Sequence, residues 1–281
     1  MKNNILFSIV MSVYNGEDYL DDSIRSILNQ TYEDFEFIIV NDGSSDNGLE
    51  IIKKYMQIDR RIVLIDHVNK GLTKSLNKAI NIANGKYIVR QDADDISTGE
   101  RLQVLKNNIK NKNPDLIFSG YRLNENNIVR IPTINNILSK VSTNFIQRLL
   151  PYGNMCVHGT FCIRKKMLMN LNGYNEYFKY SQDYDLLLRF IQNKCNIIYE
   201  KEILYELRLN DNSISQINSK SQYSYSLLAS YNYFYKKSYK INDLLLMKKA
   251  FMKYKFRFLA ILMFNFLKTK SLKNIRMTLG L

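Results

Sequence analysis

Hydrophobic residues in the first half of the chain alternate between two spacings. Short runs rich in β-branched and aromatic residues are typical of buried β-strands; they cover residues 7–14, 35–40, 61–66, 87–91 and 115–121. Between the runs, apolar residues recur every three or four positions, which predicts amphipathic helices. Three helix faces follow from this spacing: Leu20, Ile24, Ile27 and Leu28; Leu49, Ile52 and Met56; and Leu72, Leu76, Ile80 and Ala83. A strand–helix–strand series predicts an α/β fold, with a mainly parallel sheet and helices on both faces.

Polar residues directly follow three of these strands. Residues 14–17 read YNGE, residues 41–46 read NDGSSD and residues 91–95 read QDADD. In an open α/β sheet, ligands bind outside the carboxyl ends of the strands, where loops lead into helices. We therefore expect the three loops to form one binding edge. The second loop has an ordinary alternative, because Asp-Gly-Ser-Ser is also a turn sequence in which Ser45 would cap a helix beginning near Asp46.

The third loop carries three aspartates, Asp92, Asp94 and Asp95. Two carboxylates about 4 Å apart repel by roughly 4 kcal/mol at an effective dielectric near 20, unless a proton or a cation lies between them. Asp92 and Asp94 share one face of an extended segment, and Mg²⁺ typically binds one or two carboxylates together with substrate phosphates. This pair predicts a divalent-cation site. Residues 97–100 (STGE) fit a capping box, so we interpret Asp95 as stabilising the start of the next helix.

Another acidic pair precedes a later helix, in the sequence YSQDYDLLLR at residues 180–189. The apolar spacing that begins at Leu186 is helical, which places Asp183 and Asp185 in the first turn. There each carboxylate stabilises the helix dipole by about 0.3–1 kcal/mol. We assign only that role to Asp185. Asp183 lies further out at the helix start and is a candidate general base.

The formal net charge of +14 invites a nucleic-acid interpretation. However, the charge is concentrated: from Lys236 onward there are twelve lysines and arginines and one acid, Asp243, so this part carries +11 and the preceding 235 residues carry +3. The predicted binding edge is acidic and would repel a polynucleotide. Three scattered cysteines argue for a reducing compartment, and the start of the chain resembles a strand more than a signal peptide.

The basic end contains a short apolar stretch, residues 258–264, between lysine clusters. It is too short to span a bilayer, which needs about 20 apolar residues. Basic flanks around aromatic residues are typical of a segment that lies on an anionic membrane surface. The alternative is a C-terminal helix packed on the rest of the protein with its lysines in water. We favour the membrane surface.

Five ordered motifs carry a resemblance to a known family. The segments MSVYNGEDYL, FIIVNDGSSDN, NKGLTKSLNKAI with NGKYI, RQDADD and SQDYDLLLR resemble the family 2 inverting glycosyltransferases of the GT-A fold, especially bacterial enzymes that build capsule, O-antigen and related surface polysaccharides. The resemblance spans residues 7–215. It implies a GT-A catalytic domain over residues 1–215, followed by a helical, basic region over residues 216–281 that contacts the membrane.

The same resemblance implies an activity and its cofactor. The enzyme would transfer a sugar, with inversion, from a nucleotide-sugar donor, expected to be a UDP-sugar, to a glycan or polyprenyl-linked acceptor at the cytoplasmic face of the plasma membrane. Mn²⁺ or Mg²⁺ would be the cofactor. By position, Tyr14, Asn15, Glu17, Asp42 and Asp92 would bind the donor nucleotide. Asp92 and Asp94 would hold the metal, and Asp183 would be the catalytic base.

The chain departs from the family pattern at two positions. Gln182 stands where a glutamate usually precedes the base, and Asn210 replaces the histidine of an Arg-x-His element. These departures leave open a sugar-nucleotide-binding protein with impaired catalysis; a basic nucleic-acid-binding protein is the weaker alternative. His158 lies in a segment that the resemblance places beside the acceptor, where it could contact substrate or simply pack in the interior.

Overall fold

The computed structural model describes residues 5–209 and 218–243. Asn210 and the basic stretch from residue 244 to the end, including the apolar segment 258–264, lie outside the described residues. Among the residues it describes, no helix is both long enough and apolar enough to cross a bilayer.

One mixed sheet organises the described part of the chain. Its strands are β1 (Phe7–Val13), β2 (Phe35–Asn41), β3 (Ile62–Asp66), β4 (Tyr87–Arg90), β5 (Ile96–Ser97), β6 (Leu116–Glu125), β7 (Ile128–Arg130), β8 (Cys162–Arg164) and β9 (Ile197–Leu209). They lie in the order β3-β2-β1-β4-β8-β6-β9-β5, with β7 paired to β6. The pairs β1–β2, β1–β4, β2–β3 and β6–β9 are parallel, whereas β8 runs antiparallel to both β4 and β6.

Helices cover both faces of this sheet, as predicted. They are α1 (Glu17–Leu28), α2 (Gly48–Ile58), α3 (Leu72–Ile82), α4 (Arg101–Lys112), α5 (Thr133–Leu138), α6 (Thr143–Leu149), α7 (Lys165–Asn170), α8 (Gln182–Gln192) and α9 (Ser219–Tyr235). Helices α1, α2 and α4 contribute to one apolar core, and α3, α8 and α9 contribute to the other. Strand β1 shows why two cores form: Ile9 and Met11 point into the first, and Val10 points into the second.

The predicted strands agree with the observed ones to within a few residues, and most predicted helix faces are buried. Met56 is the exception, because it is 43% exposed on α2. Two predicted helix starts are wrong. Helix α2 begins at Gly48, whose N–H is bonded to Asp46 rather than capped by Ser45, and α4 begins at Arg101 without a side-chain cap.

A glycine between α3 and β4 fixes how closely β4 approaches β1. A Cβ atom at Gly85 would lie 2.4 Å from the backbone nitrogen of Ser8, and the Gly85 N–H donates to Ser8 Oγ at 2.7 Å. The backbone of β1 cannot move away without breaking its pairing with β2 and β4. This close contact requires glycine.

We expect Gly85→Ala to lower the free energy of unfolding by about 1–3 kcal/mol, the usual range for overpacking a filled interior. Urea denaturation followed by circular dichroism measures the change. Gly99→Ala is the matched control, because a Cβ there meets its nearest neighbour, the Asn29 carbonyl oxygen, at 3.9 Å. Equal stability of the two variants would contradict this packing argument.

Candidate active site

The carboxyl ends of β1, β2 and β4 meet at one edge of the sheet, as the sequence predicted. Asn15 and Glu17 follow β1 and contact the loop that follows β2. Asn15 has a left-handed backbone (φ 51°), and its Oδ1 accepts a hydrogen bond from the Ser45 N–H at 2.8 Å. Glu17 Oε2 accepts from the Asn47 N–H at 2.8 Å. These side chains join the first two loops of the edge. Tyr14 lies beside them and is 56% exposed.

Asp42 lies at the end of β2 and is nearly inaccessible to solvent, at 2% exposure. Its two carboxylate oxygens accept hydrogen bonds from the backbone N–H groups of Lys70, at 2.8 Å, and Gly71, at 2.9 Å. His67 Nδ1 lies 3.4 Å from Asp42 Oδ1. Since α3 begins immediately after Gly71, this carboxylate ties β2 to the start of α3. Each oxygen keeps the capacity for a further bond from a ligand.

Asp92 lies at the end of β4, paired with a buried arginine. Arg90 is 1% exposed, and one of its terminal nitrogens bonds Asp92 Oδ1. Another bonds the carbonyl oxygen of Val10 at 2.9 Å. The Asp92 backbone N–H donates to the Tyr205 hydroxyl at 3.1 Å. Arg90 and Tyr205 therefore fix Asp92, whose side chain remains 30% exposed at the cleft.

Asp95 does not have the role that the capping pattern indicated. It is buried, and its Oδ1 accepts from the backbone N–H of Arg208 on β9 at 2.9 Å. Burial raises the pKa of Asp95 well above its ordinary value, and the negative charges of Asp94 and Asp92 raise it further. The three aspartates thus form one electrostatic cluster.

Asp183 lies in the first turn of α8, as predicted, with Asp185 beside it. Burial raises the pKa of Asp183, and the charge of Asp92 raises it further. A hydrogen bond from Asn154 Nδ2, at 3.0 Å, acts in the opposite direction. The charge of Asp92, predicted to bind the donor, therefore contributes to the raised pKa of Asp183, predicted as the base, although burial contributes most. Asp185 instead forms an ion pair with Arg189.

His158 is partly buried and packs between Tyr174 and Phe161. Its Nε2 lies 2.7 Å from the Tyr174 hydroxyl, and its ring meets Phe161 edge-to-face. Burial lowers the pKa of His158 well below its ordinary value, and the charge of Arg90 acts in the same direction. The structure thus favours the packed role over substrate contact.

Sequence reasoning missed four residues at this site. Arg90, Tyr205, Arg208 and Asn154 each contact one of the aspartates. The role of Arg90 could have been predicted from the sequence, because it is a charged residue inside the apolar β4 run and a buried arginine requires a partner. Arg208 is the arginine of the Arg-x-His-like element noted above, although the sequence predicted no contact between it and Asp95. Tyr205 and Asn154 approach from distant parts of the chain, and their local sequence carries no comparable signal.

Two partly exposed carboxylates, Asp92 and Asp94, do not by themselves complete a metal site. Among the residues that the structure describes, no three His, Cys, Asp or Glu side chains are arranged to hold a metal ion. The structure places Ala93 and Asp94 in a turn, so the expectation of an extended segment with both carboxylates on one face was wrong. The chemistry of Asp92 and Asp94 still fits a metal, because oxygen ligands suit Mg²⁺ and Mn²⁺. A cation there would also reduce the repulsion from these two carboxylates, which adds to burial in raising the pKa of Asp95. Phosphate oxygens of a substrate would supply further ligands.

Comparisons with known proteins agree with the predicted family. The family model for glycosyl transferase family 2 matches residues 8–171. A glycosyltransferase of Methanocaldococcus jannaschii is 40% identical over 235 residues, 79% of this chain and 78% of that relative. The O-antigen biosynthesis glycosyltransferase WbnJ of Escherichia coli is 33% identical over 228 residues, 81% of this chain and 87% of WbnJ.

Solved structures show the same fold at low sequence identity. Staphylococcus aureus TarS in complex with UDP-GlcNAc superposes with a TM-score of 0.69 and 19% identity, over 88% of this chain and 71% of that one. The Pyrobaculum calidifontis mannosyltransferase PcManGT, in complex with GDP-Man and Mn²⁺, has a TM-score of 0.63 and 12% identity, over 89% of this chain and 70% of that one.

Removal of the Asp42 carboxylate should destabilise the protein even without a ligand. Asp42→Ala would leave the N–H groups of Lys70 and Gly71 without their acceptor, and hydrogen bonds to a charged group contribute about 1.5–3 kcal/mol each. We expect a loss of about 3–6 kcal/mol in the free energy of unfolding, measured by urea denaturation. Asp34→Ala, the same change at an exposed position, should be nearly neutral. An unchanged stability of Asp42→Ala would show that these bonds do not hold α3.

Proposed function

The chain belongs to glycosyl transferase family 2 and has the GT-A fold, and on this basis we propose that it transfers one sugar, with inversion, from a UDP-sugar to a hydroxyl group of a glycan or lipid-linked acceptor. We infer that this reaction belongs to the synthesis of a bacterial surface polysaccharide. The name of WbnJ, an O-antigen biosynthesis enzyme, supports that setting.

The observation that carries the proposal is the pairing of two acids across one cleft. Asp92 reaches it from the end of β4 and Asp183 from the start of α8, near enough for the charge of Asp92 to raise the pKa of Asp183. An inverting transfer needs a group that binds the leaving diphosphate and, on the opposite face of the sugar, a base for the acceptor hydroxyl. Asp92 would meet the first need through a bound cation, and Asp183 would meet the second.

The donor nucleotide would bind over the joined loops after β1 and β2. Asp42 would accept a hydrogen bond from the base, because its oxygens are fixed by two backbone N–H groups. Tyr14 offers an exposed ring for stacking, and Asn15 and Glu17 would hold the pocket wall through their bonds to residues 45 and 47. The UDP-GlcNAc in TarS supports a uridine nucleotide over the guanosine nucleotide in PcManGT.

Asp92 and Asp94 would hold Mn²⁺ or Mg²⁺ at the diphosphate. The bound cation would supply charge stabilisation for the leaving group. Arg90 adds a positive charge behind Asp92 and fixes which of its oxygens faces the cleft. The PcManGT complex, which contains Mn²⁺, supports the presence of a metal.

The oxygen of the acceptor hydroxyl would form a bond to the anomeric carbon. As this bond forms, Asp183 would remove the proton from that hydroxyl. The bond from that carbon to the phosphate oxygen breaks in the same displacement, and the electron pair leaves with the nucleoside diphosphate. The proton remains on Asp183 until solvent takes it. Because the nucleophile and the leaving group occupy opposite faces, the configuration at the anomeric carbon inverts.

We also propose that the enzyme works at the cytoplasmic face of the membrane, where lipid-linked acceptors are found. Helix α9 packs on α8, and exposed lysines, Lys236 and Lys237, follow it. Lys220 and Lys240 are also exposed, and the other basic residues of the 216–281 region lie beyond the described residues. Their charge suits an anionic lipid surface.

Donor binding should require both the metal and the aspartate pair. We expect UDP-GlcNAc, or another UDP-sugar from a panel that includes GDP-mannose, to raise the melting temperature only with Mn²⁺ present. At 100 times the dissociation constant, binding adds about 2.7 kcal/mol to stability. Asp92→Asn and Asp94→Asn should each remove most of this gain, whereas Asp34→Asn should retain it. A wild-type protein that responds to no nucleotide sugar with Mn²⁺ would refute the proposal.

Replacement of the base should abolish turnover and spare donor binding. We expect Asp183→Asn to lower kcat by about 10²–10⁴-fold, the usual contribution of a general base, with the thermal shift by donor and Mn²⁺ unchanged. In the wild type, the reactive form is the carboxylate, so the rate should fall as the pH drops through the pKa of Asp183. Because that pKa is raised, the fall should begin at a higher pH than for an ordinary aspartate. A protein that binds donor but shows no turnover before mutation would be a binder with impaired catalysis.

A further inference from the structure

A short turn before β8 is held at both ends by neighbouring residues of α8. The 3₁₀ helix Leu150–Tyr152 begins this turn, and the Tyr184 hydroxyl donates to the Leu150 carbonyl oxygen at 2.6 Å. Beyond it, Asn154 Nδ2 donates to Asp183 Oδ2 at 3.0 Å. Consecutive residues of α8 thus fix the turn, and the turn in return contacts the proposed base.

The Asn154 amide is itself oriented by its own segment. Asn154 Oδ1 accepts a hydrogen bond from the Cys156 N–H at 3.1 Å. With the oxygen engaged in this way, the amide nitrogen faces Asp183. Asn154 is exposed, whereas Cys156 is buried, so a backbone N–H of a buried residue holds the amide of an exposed side chain.

We propose that Asn154 is a positioning residue for sugar transfer, which holds Asp183 in the orientation that receives the acceptor proton. This inference rests on the proposed role of Asp183 as the base. Backbone N–H groups of the first turn of α8 approach the carboxylate from within the helix, and Asn154 approaches it from outside. Together they restrict rotation of the carboxylate about its Cβ–Cγ bond, and small misplacements of catalytic groups cost up to about 100-fold in rate.

Asn154 also balances the electrostatics of the base. Asp183 faces Asp92 on the β4 side, Cys156 on the turn, Tyr174 on the segment before α8, and Tyr184 on its own helix. Burial raises the pKa of the cysteine and of both tyrosines, so these three groups stay neutral near pH 7. Burial and Asp92 both favour protonation of Asp183, and the neutral donor Asn154 opposes them without adding a charge.

The test compares the full-length wild type with Asn154→Ala, Asn154→Asp and the control Asn107→Ala, a change at an exposed position of α4 far from the turn. Carbon-13 NMR titration of the aspartate carboxyls follows the pKa of Asp183, whose signal is identified by its loss in Asp183→Asn. Slow hydrolysis of UDP-GlcNAc and of GDP-mannose with Mn²⁺ gives kcat, KM and the pH profile.

We expect the pKa of Asp183 to rise in Asn154→Ala and to rise further in Asn154→Asp, which has nearly the same shape but adds a negative charge. The value of kcat should fall by about tenfold or more, the KM for the donor should stay constant, and the acidic limb of the pH profile should move to higher pH. Asn107→Ala should match the wild type in every measurement.

The outcomes separate this inference from the function on which it rests. If Asp183→Asn abolishes hydrolysis while both Asn154 variants keep the wild-type pKa, kcat and pH profile, the positioning role is wrong and the function stands. If the wild type hydrolyses neither donor, the catalytic role of Asp183 fails and the positioning role fails with it. Asn154→Asp provides the decisive comparison should Asn154→Ala prove unstable, since it preserves the volume of the side chain.

Discussion

The geometry of the cleft depends on one buried ion pair, Arg90 with Asp92. A guanidinium at 1% exposure is tolerated only when a carboxylate and further acceptors compensate for its lost hydration. The carbonyl oxygens of Val10, in the middle of β1, and of Gln91, directly after β4, provide those acceptors. The pair therefore fixes β1, the end of β4 and Asp92 as one unit. A second buried arginine, Arg101, bonds the Arg90 carbonyl oxygen at 3.0 Å and reinforces this unit from α4.

The same arrangement concentrates negative charge at the edge of the sheet where the diphosphate of the proposed donor would need positive charge. Parallel strands bring their carboxyl ends to one edge, so Asp92, Asp94 and Asp95 meet there with Asp183 opposite. Burial is the main cause of the raised pKa values of Asp95 and Asp183, and neighbouring carboxylates raise both further. In the proposed function, a cation held by Asp92 and Asp94 would offset this negative charge and bind the diphosphate of the donor. This also explains why the large positive net charge of the chain is a poor guide to its ligand: the charge lies at one end, and the cleft is acidic.

The sequence predicted those parts of the fold that depend on local pattern. The strands around Ile9, Ile38 and Val89 could be read from continuous apolar runs, and α8 could be read from the spacing after Asp183. The capping-box interpretation of Asp95 was wrong. Asp95 is buried and accepts a hydrogen bond from the Arg208 N–H, and the local sequence could not predict this contact because it depends on the packing of β9. The insertion of β8 between β4 and β6 could not be predicted, since its partners lie far apart along the chain. Tyr205 and Asn154 reach the site only through such long-range pairings.

The two halves of the proposed chemistry come from two halves of the sheet. The parallel strands β1, β2 and β4 carry the donor-side residues, whereas α8 and the turn before β8 carry the base and Asn154. The halves meet where β8 pairs with β4, and two contacts cross this boundary: the Tyr205 hydroxyl to Asp92, and Arg101 to the carbonyl oxygen of Gly159 at 2.6 Å. A Cβ at Gly159 would lie 2.1 Å from the Tyr205 hydroxyl, so the absence of a side chain there allows Tyr205 to reach Asp92. The relative placement of Asp92 and of the proposed base Asp183 thus depends on packing at this boundary, and not on either half alone.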